Sequence, residues 1–318
     1  MPDADIFQPE PDTAEKQGLY KQLLPKSFDE FVGQEQVKRP LLAAVEAARR
    51  RKQTLDHVLL CGPPGLGKTT AALLLAAHGK VLEWQGSALR SRAELDRFLS
   101  SVTLHADEGC RYVLLDEVDA PTRPIIAALQ EVVERSQARV RGVLFSLPKM
   151  TLIATTSRPA LLPQSFRDRF GINLRFQYYG YQELTQVVCQ SAVKLGFEYT
   201  QPGATLIGQR ARHTPRIANR LLRRTLDYGD KADALTVRTA MKELGINRYG
   251  LDAQDRALLQ VLREANGDAV GLEVLAARVG EDPRTVETLY EPYLLRAGVL
   301  GRGSRGRLLM KFDPDVAT

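Results

Sequence analysis

The sequence is poor in cysteine. Its three, Cys61, Cys110 and Cys189, lie far apart in 318 residues with no paired spacing, so there is no basis for a zinc site or a disulfide scaffold, and a reducing compartment fits. No apolar run approaches the roughly 18 residues of a membrane span. Membrane contact is therefore not expected and a cytoplasmic location is. Residues 1–16 are acidic and contain proline, and they lack the apolar core of a signal peptide. Residues 1–19 are expected to form a disordered lead-in. What remains is ordinary for a globular chain, 44% apolar and 26% charged, long enough for two or three domains. A net charge of +6 is compatible with a polyanionic partner without proving one.

Against this plain background one stretch stands out. Gly62-Pro63-Pro64-Gly65-Leu66-Gly67-Lys68-Thr69-Thr70 matches the phosphate-loop pattern G-x-x-x-x-G-K-[ST] without a gap. An apolar run, residues 58–61, leads in as a buried strand, and an Ala- and Leu-rich helix over 69–78 leads out. Glycines let the backbone fold tightly round an anion and turn N–H groups towards it, and the helix N-terminus adds partial positive charge. Lys68 is placed to reach β- and γ-phosphates, and the Thr69 hydroxyl to sit on Mg²⁺. ATP with Mg²⁺ is the ligand expected.

Residues 36–51 read as a helix closed by the basic run Arg49-Arg50-Arg51-Lys52, where cations suit a helix C-terminus; a contact with DNA is the competing reading. Beyond the loop, residues 93–104 read as a helix. Then Arg111-Tyr112-Val113-Leu114-Leu115-Asp116-Glu117 is a buried strand ending in two acids. Ligands gather at the carboxyl ends of parallel strands. Asp116 is expected to hold Mg²⁺, directly or through water, and Glu117 to polarise the attacking water as a general base. Residues 125–135 read as a helix and 149–156 as a third buried strand, whose terminal hydroxyls, Thr155, Thr156 and Ser157, either sense a γ-phosphate or serve as turn caps. In Ser165-Phe166-Arg167-Asp168-Arg169-Phe170-Gly171 an arginine is either a surface ion pair or an arginine finger. Strand and helix alternate to about residue 176, which predicts an α/β, doubly wound domain over 20–176.

Residues 177–245 turn helical. Tyr181 opens a helix to 195. Thr214-Pro215 supplies an N-cap with proline at the first helical position, and Arg216 follows in the first turn, where a cation opposes the helix dipole and calls for an anion. Residues 246–318 differ again. Helices are predicted over 252–265, 272–279 and 283–296, and residues 299–311 alternate apolar and basic residues round glycines like a hairpin. Three helices and a hairpin make a winged helix, with basic charge concentrated on the wing. Arg302, Arg305 and Arg307 would then face phosphates; the bland alternative is a solvated hairpin.

Taken together, the chain resembles the RuvB-type Holliday-junction branch-migration motors of the AAA+ class over about residues 20–310. The likeness is carried by the phosphate loop, Leu55-Asp56-His57-Val58-Leu59-Leu60, Arg167-Asp168-Arg169-Phe170-Gly171-Ile172, Thr214-Pro215-Arg216-Ile217-Ala218-Asn219-Arg220-Leu221-Leu222-Arg223-Arg224 and Tyr290-Glu291-Pro292-Tyr293-Leu294. The resemblance implies an AAA+ ATPase domain, a small helical lid and a C-terminal winged helix. It implies that Arg169 reaches a neighbouring subunit's nucleotide, that Thr156 is the first sensor and Arg216 the second, and that Leu23 or Leu24 with Tyr179 lines the adenine pocket. It also implies a hexameric ring on duplex or four-way-junction DNA.

Three departures from the family pattern stand in this sequence. Leu24 precedes Pro25 where the family usually has arginine. Asp119-Ala120 stands where it carries His-Arg. Residues 136–147 are shorter and unlike the Gly-containing hairpin that docks on the junction-binding partner, RuvA, which implies either a divergent partner or a motor working without one. The alternative to a motor is an ATP-dependent loader or assembly switch that recruits another protein without translocating; a nucleotide-sensing transcription regulator is a further one.

Overall fold

The computed structural model describes residues 22–76, 80–107, 111–140 and 143–310. The expected lead-in, Cys110 and Lys311 lie outside them. The described residues divide into two compact units, one of residues 24–179 and one of residues 180–310 together with 22 and 23.

Among the described residues the first unit holds seven strands: β1 (Val58–Cys61), β2 (Val81–Gln85), β3 (Tyr112–Asp116), β4 (Gln137–Val140), β5 (Val143–Ser146), β6 (Thr151–Thr156) and β7 (Ile172–Arg175). Five form a parallel sheet in the order β2-β3-β6-β1-β7. Every residue of β1 and β6 is buried, as continuous apolar strands in a sheet covered on both faces must be. Edge strand β2, Val-Leu-Glu-Trp-Gln, is half-exposed, and its mixed polarity hides it from a search for apolar runs. Helices Lys68–Ala76, Arg92–Asp107 and Arg123–Arg135 make the crossovers. Phe98, Phe166, Leu95, Leu115 and Leu129 fill one side of the sheet, with Trp84 edge-on to Phe98 at 5.4 Å between centroids.

The sheet fixes the place of the chemistry. Cys61 lies opposite Thr156, and Leu115 opposite Ala154. The residues that follow, Gly62 and Asp116, therefore leave the same carboxyl edge on either side of β6, the edge at which ligands gather in such sheets.

The second unit begins with helices Tyr181–Leu195, Gln201–Arg210, Pro215–Thr225 and Ala234–Glu243, with two short parallel strands, β8 (Glu198–Tyr199) and β9 (Lys231–Ala232). Thr214 caps the third helix, its Oγ accepting from Ile217 N. Helices Ala253–Glu264 and Leu272–Val279 follow, then a helical segment over 283–296 and the antiparallel pair β10 (Leu300–Gly303) and β11 (Gly306–Leu309). Val270 pairs with Arg307 in both directions at 2.8 Å, adding a third strand position to the wing. Gly306, at φ 144°, faces the Val270 carbonyl so closely that a Cβ there would lie 2.3 Å from it.

The single helix expected over 283–296 is not continuous. It is α-helical over Pro283–Thr285, opens into a π turn over Val286–Tyr290 and resumes over Glu291–Arg296. Pro292 has no N–H to give, and the wider turn before it absorbs the missing bond.

Candidate functional site

Three glycines shape the phosphate loop. Gly62, Gly65 and Gly67 have φ of 146°, 77° and 90°, a region other residues enter only with strain. Space is as restrictive as conformation: a Cβ on Gly62 would lie 2.9 Å from the Phe176 carbonyl, and one on Gly67 3.0 Å from the Phe31 ring. Gly62 N donates to the Thr156 carbonyl, fixing the loop to the sheet. The buried Lys68 ammonium donates to the carbonyls of Gly62 and Pro63 at 2.7 and 2.8 Å. It is thus held over the loop, ahead of the helix it begins. Bare backbone, a helix N-terminus and one ammonium together fit a polyphosphate.

Asp116 meets this loop directly. Thr69 Oγ lies 3.1 and 3.2 Å from its two carboxylate oxygens, a hydroxyl and a carboxylate converging as the hard oxygen ligands of Mg²⁺ do. Thr155, from β6, also donates to Asp116. Its Oγ in turn accepts from Glu117 N at 3.3 Å. Glu117 is exposed and has φ 56°. Such a conformation in a non-glycine residue costs about 1–3 kcal/mol and gathers at working sites. Gly86 explains how it is held: a Cβ on Gly86 would stand 2.1 Å from the Glu117 carbonyl.

Thr156 is not the residue that faces Asp116. Fully buried, it donates to Asp119 at 2.6 Å. Successive strand residues point to opposite faces, so Thr155 and Thr156 take different partners. Thr156, expected as the first sensor, thus donates to Asp119, while Thr155 touches the Asp116 carboxylate and Ser157 is the first half-buried hydroxyl beyond the strand. Asp119 also binds Arg158 Nε at 2.9 Å. The departure from the family at 119 thus ties down the end of β6.

Behind the loop, buried Tyr179 donates to the Leu66 carbonyl at 3.4 Å. Gln34 and Gln177 clasp each other, Gln34 Nε2 donating to Gln177 O at 2.6 Å and Gln177 N to Gln34 Oε1 at 3.0 Å. Sequence reasoning missed Phe31, Gln34 and Gly86, and saw Asp119 only as a departure from the family pattern. Only the glycine was findable in principle, as a lone Gly after a strand. Thr70 is half-buried in the first turn of the loop's helix, and Pro63 and Leu66 shape the loop itself. Leu24 opens this unit, whereas Leu23 and Arg216 belong to the other. Arg216 is exposed at the first turn of Pro215–Thr225.

Arg169 keeps 44% of its side chain exposed, with Glu134 3.5 Å away. A surface pair of that kind holds it weakly.

The wing divides its arginines. Glu291, fully buried, accepts from Arg302 and from Arg307 Nε at 2.7 Å, and Arg302 also meets Glu287 at 3.2 Å. Arg307 keeps only 14% of its side chain exposed. Expected on a phosphate, it here anchors the hairpin to the helix behind it, satisfying a buried carboxylate that would otherwise be destabilising. Arg305, on the exposed turn between β10 and β11, has no partner among the described residues.

Within the short stretch 136–147, two described strands run antiparallel. β4 and β5 pair from Gln137–Ser146 to Val140–Val143, and Val143, Leu144 and Phe145 are 57%, 52% and 46% exposed.

Family models agree with this architecture along the chain. One described as the Holliday junction DNA helicase RuvB P-loop domain matches residues 23–176, one described as the RuvB AAA lid domain 179–252, and one described as the RuvB C-terminal winged helix domain 248–311. The chain belongs to the RuvB family. RuvB of an Arthrobacter species is 40% identical over 91% of this chain and 83% of its own length, and RuvB of Bdellovibrio bacteriovorus 35% identical over 96% of each. The RuvB Holliday junction branch migration motor of Thermotoga maritima superposes with a TM-score of 0.80 at 36% identity, over 91% of this chain and 96% of that one. RuvB kinship makes this a nucleotide-binding AAA+ ATPase chain. No helix among the described residues is long and apolar enough to cross a membrane.

Proposed function

We propose that this chain is an ATP-driven motor that moves duplex DNA through a ring of its own copies and so migrates Holliday junctions. The observation that carries the proposal is a division of labour. Lys68, Thr69, Asp116 and Glu117 converge on one carboxyl edge of the sheet, while Arg169 stands exposed on the surface. An arginine finger supplied by a neighbouring copy completes such a site only in an assembly, here a hexamer.

In the proposed reaction the loop N–H groups and Lys68 bind the β- and γ-phosphates. Thr69 and Asp116 would hold Mg²⁺, which neutralises phosphate charge when bound. Glu117 accepts the proton of the attacking water, oriented by its fixed backbone. Thr155 keeps Asp116 aimed, and Thr156, with Ser157 beside it, is the strand-end hydroxyl that reports on the terminal phosphate. Tyr179 supports the nucleotide's base side of the loop, with Leu23 or Leu24 as the other lining residue. Arg216 supplies the lid's cation to the terminal phosphate. Arg305, with the exposed part of Arg302, rides on DNA phosphates with little sequence preference. The bare ribbon at 143–145 favours a protein partner holding the junction, and the cytoplasm is the place where such DNA is met.

The test is ATP hydrolysis with and without a synthetic four-way junction, read beside junction migration. Stimulated hydrolysis with sustained movement is the expected result. ATP-gated binding without movement would make the chain a loader or assembly switch, and protection of one sequence a regulator.

A further inference from the structure

The lid and the winged helix are joined by residues 245–252, which include Gly245 and Gly250. Two glycines in eight residues read as a loose linker. The structure shows a braced one. Gly250 N donates to Asn247 O at 3.1 Å, and Asn247 N to Leu251 O at 3.0 Å. Asn247 Oδ1 accepts from Tyr249 N and Leu251 N at 2.9 and 3.0 Å. Gly250, at φ 75°, runs so close to the lid that a Cβ on it would lie 2.7 Å from the Arg210 carbonyl.

At the centre of the brace is Arg212, a lid residue with 6% of its side chain exposed. Its Nε donates to Gly250 O at 2.9 Å, and its Nη2 to Asp252 at 3.1 Å and to Asp255. Asp252 and Asp255 form the capping box of the first winged-helix helix, bonded reciprocally at 2.8 and 3.0 Å. The face of the guanidinium lies 5.1 Å from the centroid of Tyr293, in the third helical segment, and Tyr293 donates to Tyr249 O. Arg256 returns to the lid side at Gly245 O, 2.8 Å away. One planar group therefore holds the connector, the cap of one helix and the ring of another. A lysine, with a single point charge and no flat face, cannot hold all three.

Arg212 is also four residues before Arg216. Both Arg212 and His213 have positive φ, 47° and 62°. This strained turn sends Arg212 into the brace and starts, at Thr214, the helix bearing Arg216.

We infer that Arg212 is a positioning residue that welds the lid to the winged helix, so that a rotation of the Arg216 helix reaches the wing undamped. The inference rests on the motor reading above. It adds that the coupling of hydrolysis to movement passes through this side chain.

The test uses the full chain carrying Arg212→Lys, with two readouts. The first is ATP consumed per base pair migrated. It is expected to rise about threefold or more, in the range by which residues that couple sites shift that coupling, while hydrolysis without DNA stays within about twofold of the parent. The second is proteolysis by thermolysin within 245–252, resisted by the parent and admitted by the variant. An unchanged ATP-to-movement ratio in folded Arg212→Lys overturns the inference, as does an unchanged cleavage pattern. Tyr293→Phe, which removes one hydroxyl from a half-buried ring, is read in the same two ways with a smaller rise of about twofold and covers failure of the lysine variant to fold; no rise in it likewise overturns the inference. A parent protein that moves no junction defeats the motor reading instead, and cleavage of the connector then still decides whether the brace exists.

Discussion

Thr156 gives its hydroxyl to Asp119 at 2.6 Å. The bond joins the end of β6 to the segment that follows the two acids of β3, and Arg158 closes the network on the other carboxylate oxygen. Removing the carboxylate strands a buried hydroxyl, a loss of about 1–3 kcal/mol. Asp119→Ala should therefore lower the unfolding free energy of the ATPase unit by that amount in urea titration. Asp119→Asn, which still accepts from Thr156, should recover most of it.

Gly86 is a test of Glu117. A Cβ at 86 has nowhere to go but into the Glu117 carbonyl. Gly86→Ala should move the glutamate by a fraction of an ångström to an ångström and reduce turnover about 10²-fold, a typical penalty for misplacing a reacting group. Nucleotide affinity, measured with a fluorescent analogue, should change little.

Arg169→Ala should leave nucleotide binding intact. It should remove about 10³-fold or more of DNA-stimulated turnover, the usual contribution of an arginine finger. Mixed with the parent chain it should inhibit more than in proportion to its amount. Full turnover by an isolated monomer would contradict the shared site.

Arg305→Ala and Arg307→Ala should separate cleanly. The first should weaken DNA binding uniformly across sequences and reduce the salt slope by about 1, with thermal stability unchanged. The second removes a charged hydrogen bond from buried Glu291 and should lose about 1.5–3 kcal/mol of winged-helix stability, read by denaturant unfolding.

His57 sets a pH limit on the ATPase unit. Burial holds its imidazole below the ordinary 6.5, with Asp56 pulling the other way. Nδ1 accepts from Leu152 N at 2.9 Å, a role the protonated ring cannot fill. As pH falls through 6.5 the unfolded chain takes up the proton first, so stability present above that pH is lost below it. The urea midpoint should fall between about pH 7.5 and about pH 5.5, and His57→Gln, which accepts without titrating, should flatten the fall.

Much of this site was legible in the sequence because its signals are local. A glycine loop between strand and helix, two acids closing an apolar run and Thr214-Pro215 each carry their own context within a dozen residues. What escaped was set by pairing across the sheet. The choice between Thr155 and Thr156 depends on which face of β6 meets Asp116, and Gly86 matters only because Glu117 passes it. Wing charge was visible as arginines, but which of them a buried Glu291 would claim was not. Strand β2 was missed because an edge strand need not be apolar, and the helix over 283–296 was read as unbroken because a π turn has no sequence period of its own.

The clasp between Gln34 and Gln177 spans 143 positions of chain. Phe176 backs Gly62 and Tyr179 backs Leu66 from the same late segment. The loop at 62–70 is therefore synthesised long before the wall it leans on. A nascent chain released from the ribosome short of residue 177 carries the full glycine motif and still lacks a finished cradle, so ATP can stabilise this unit only after its last strand has been made.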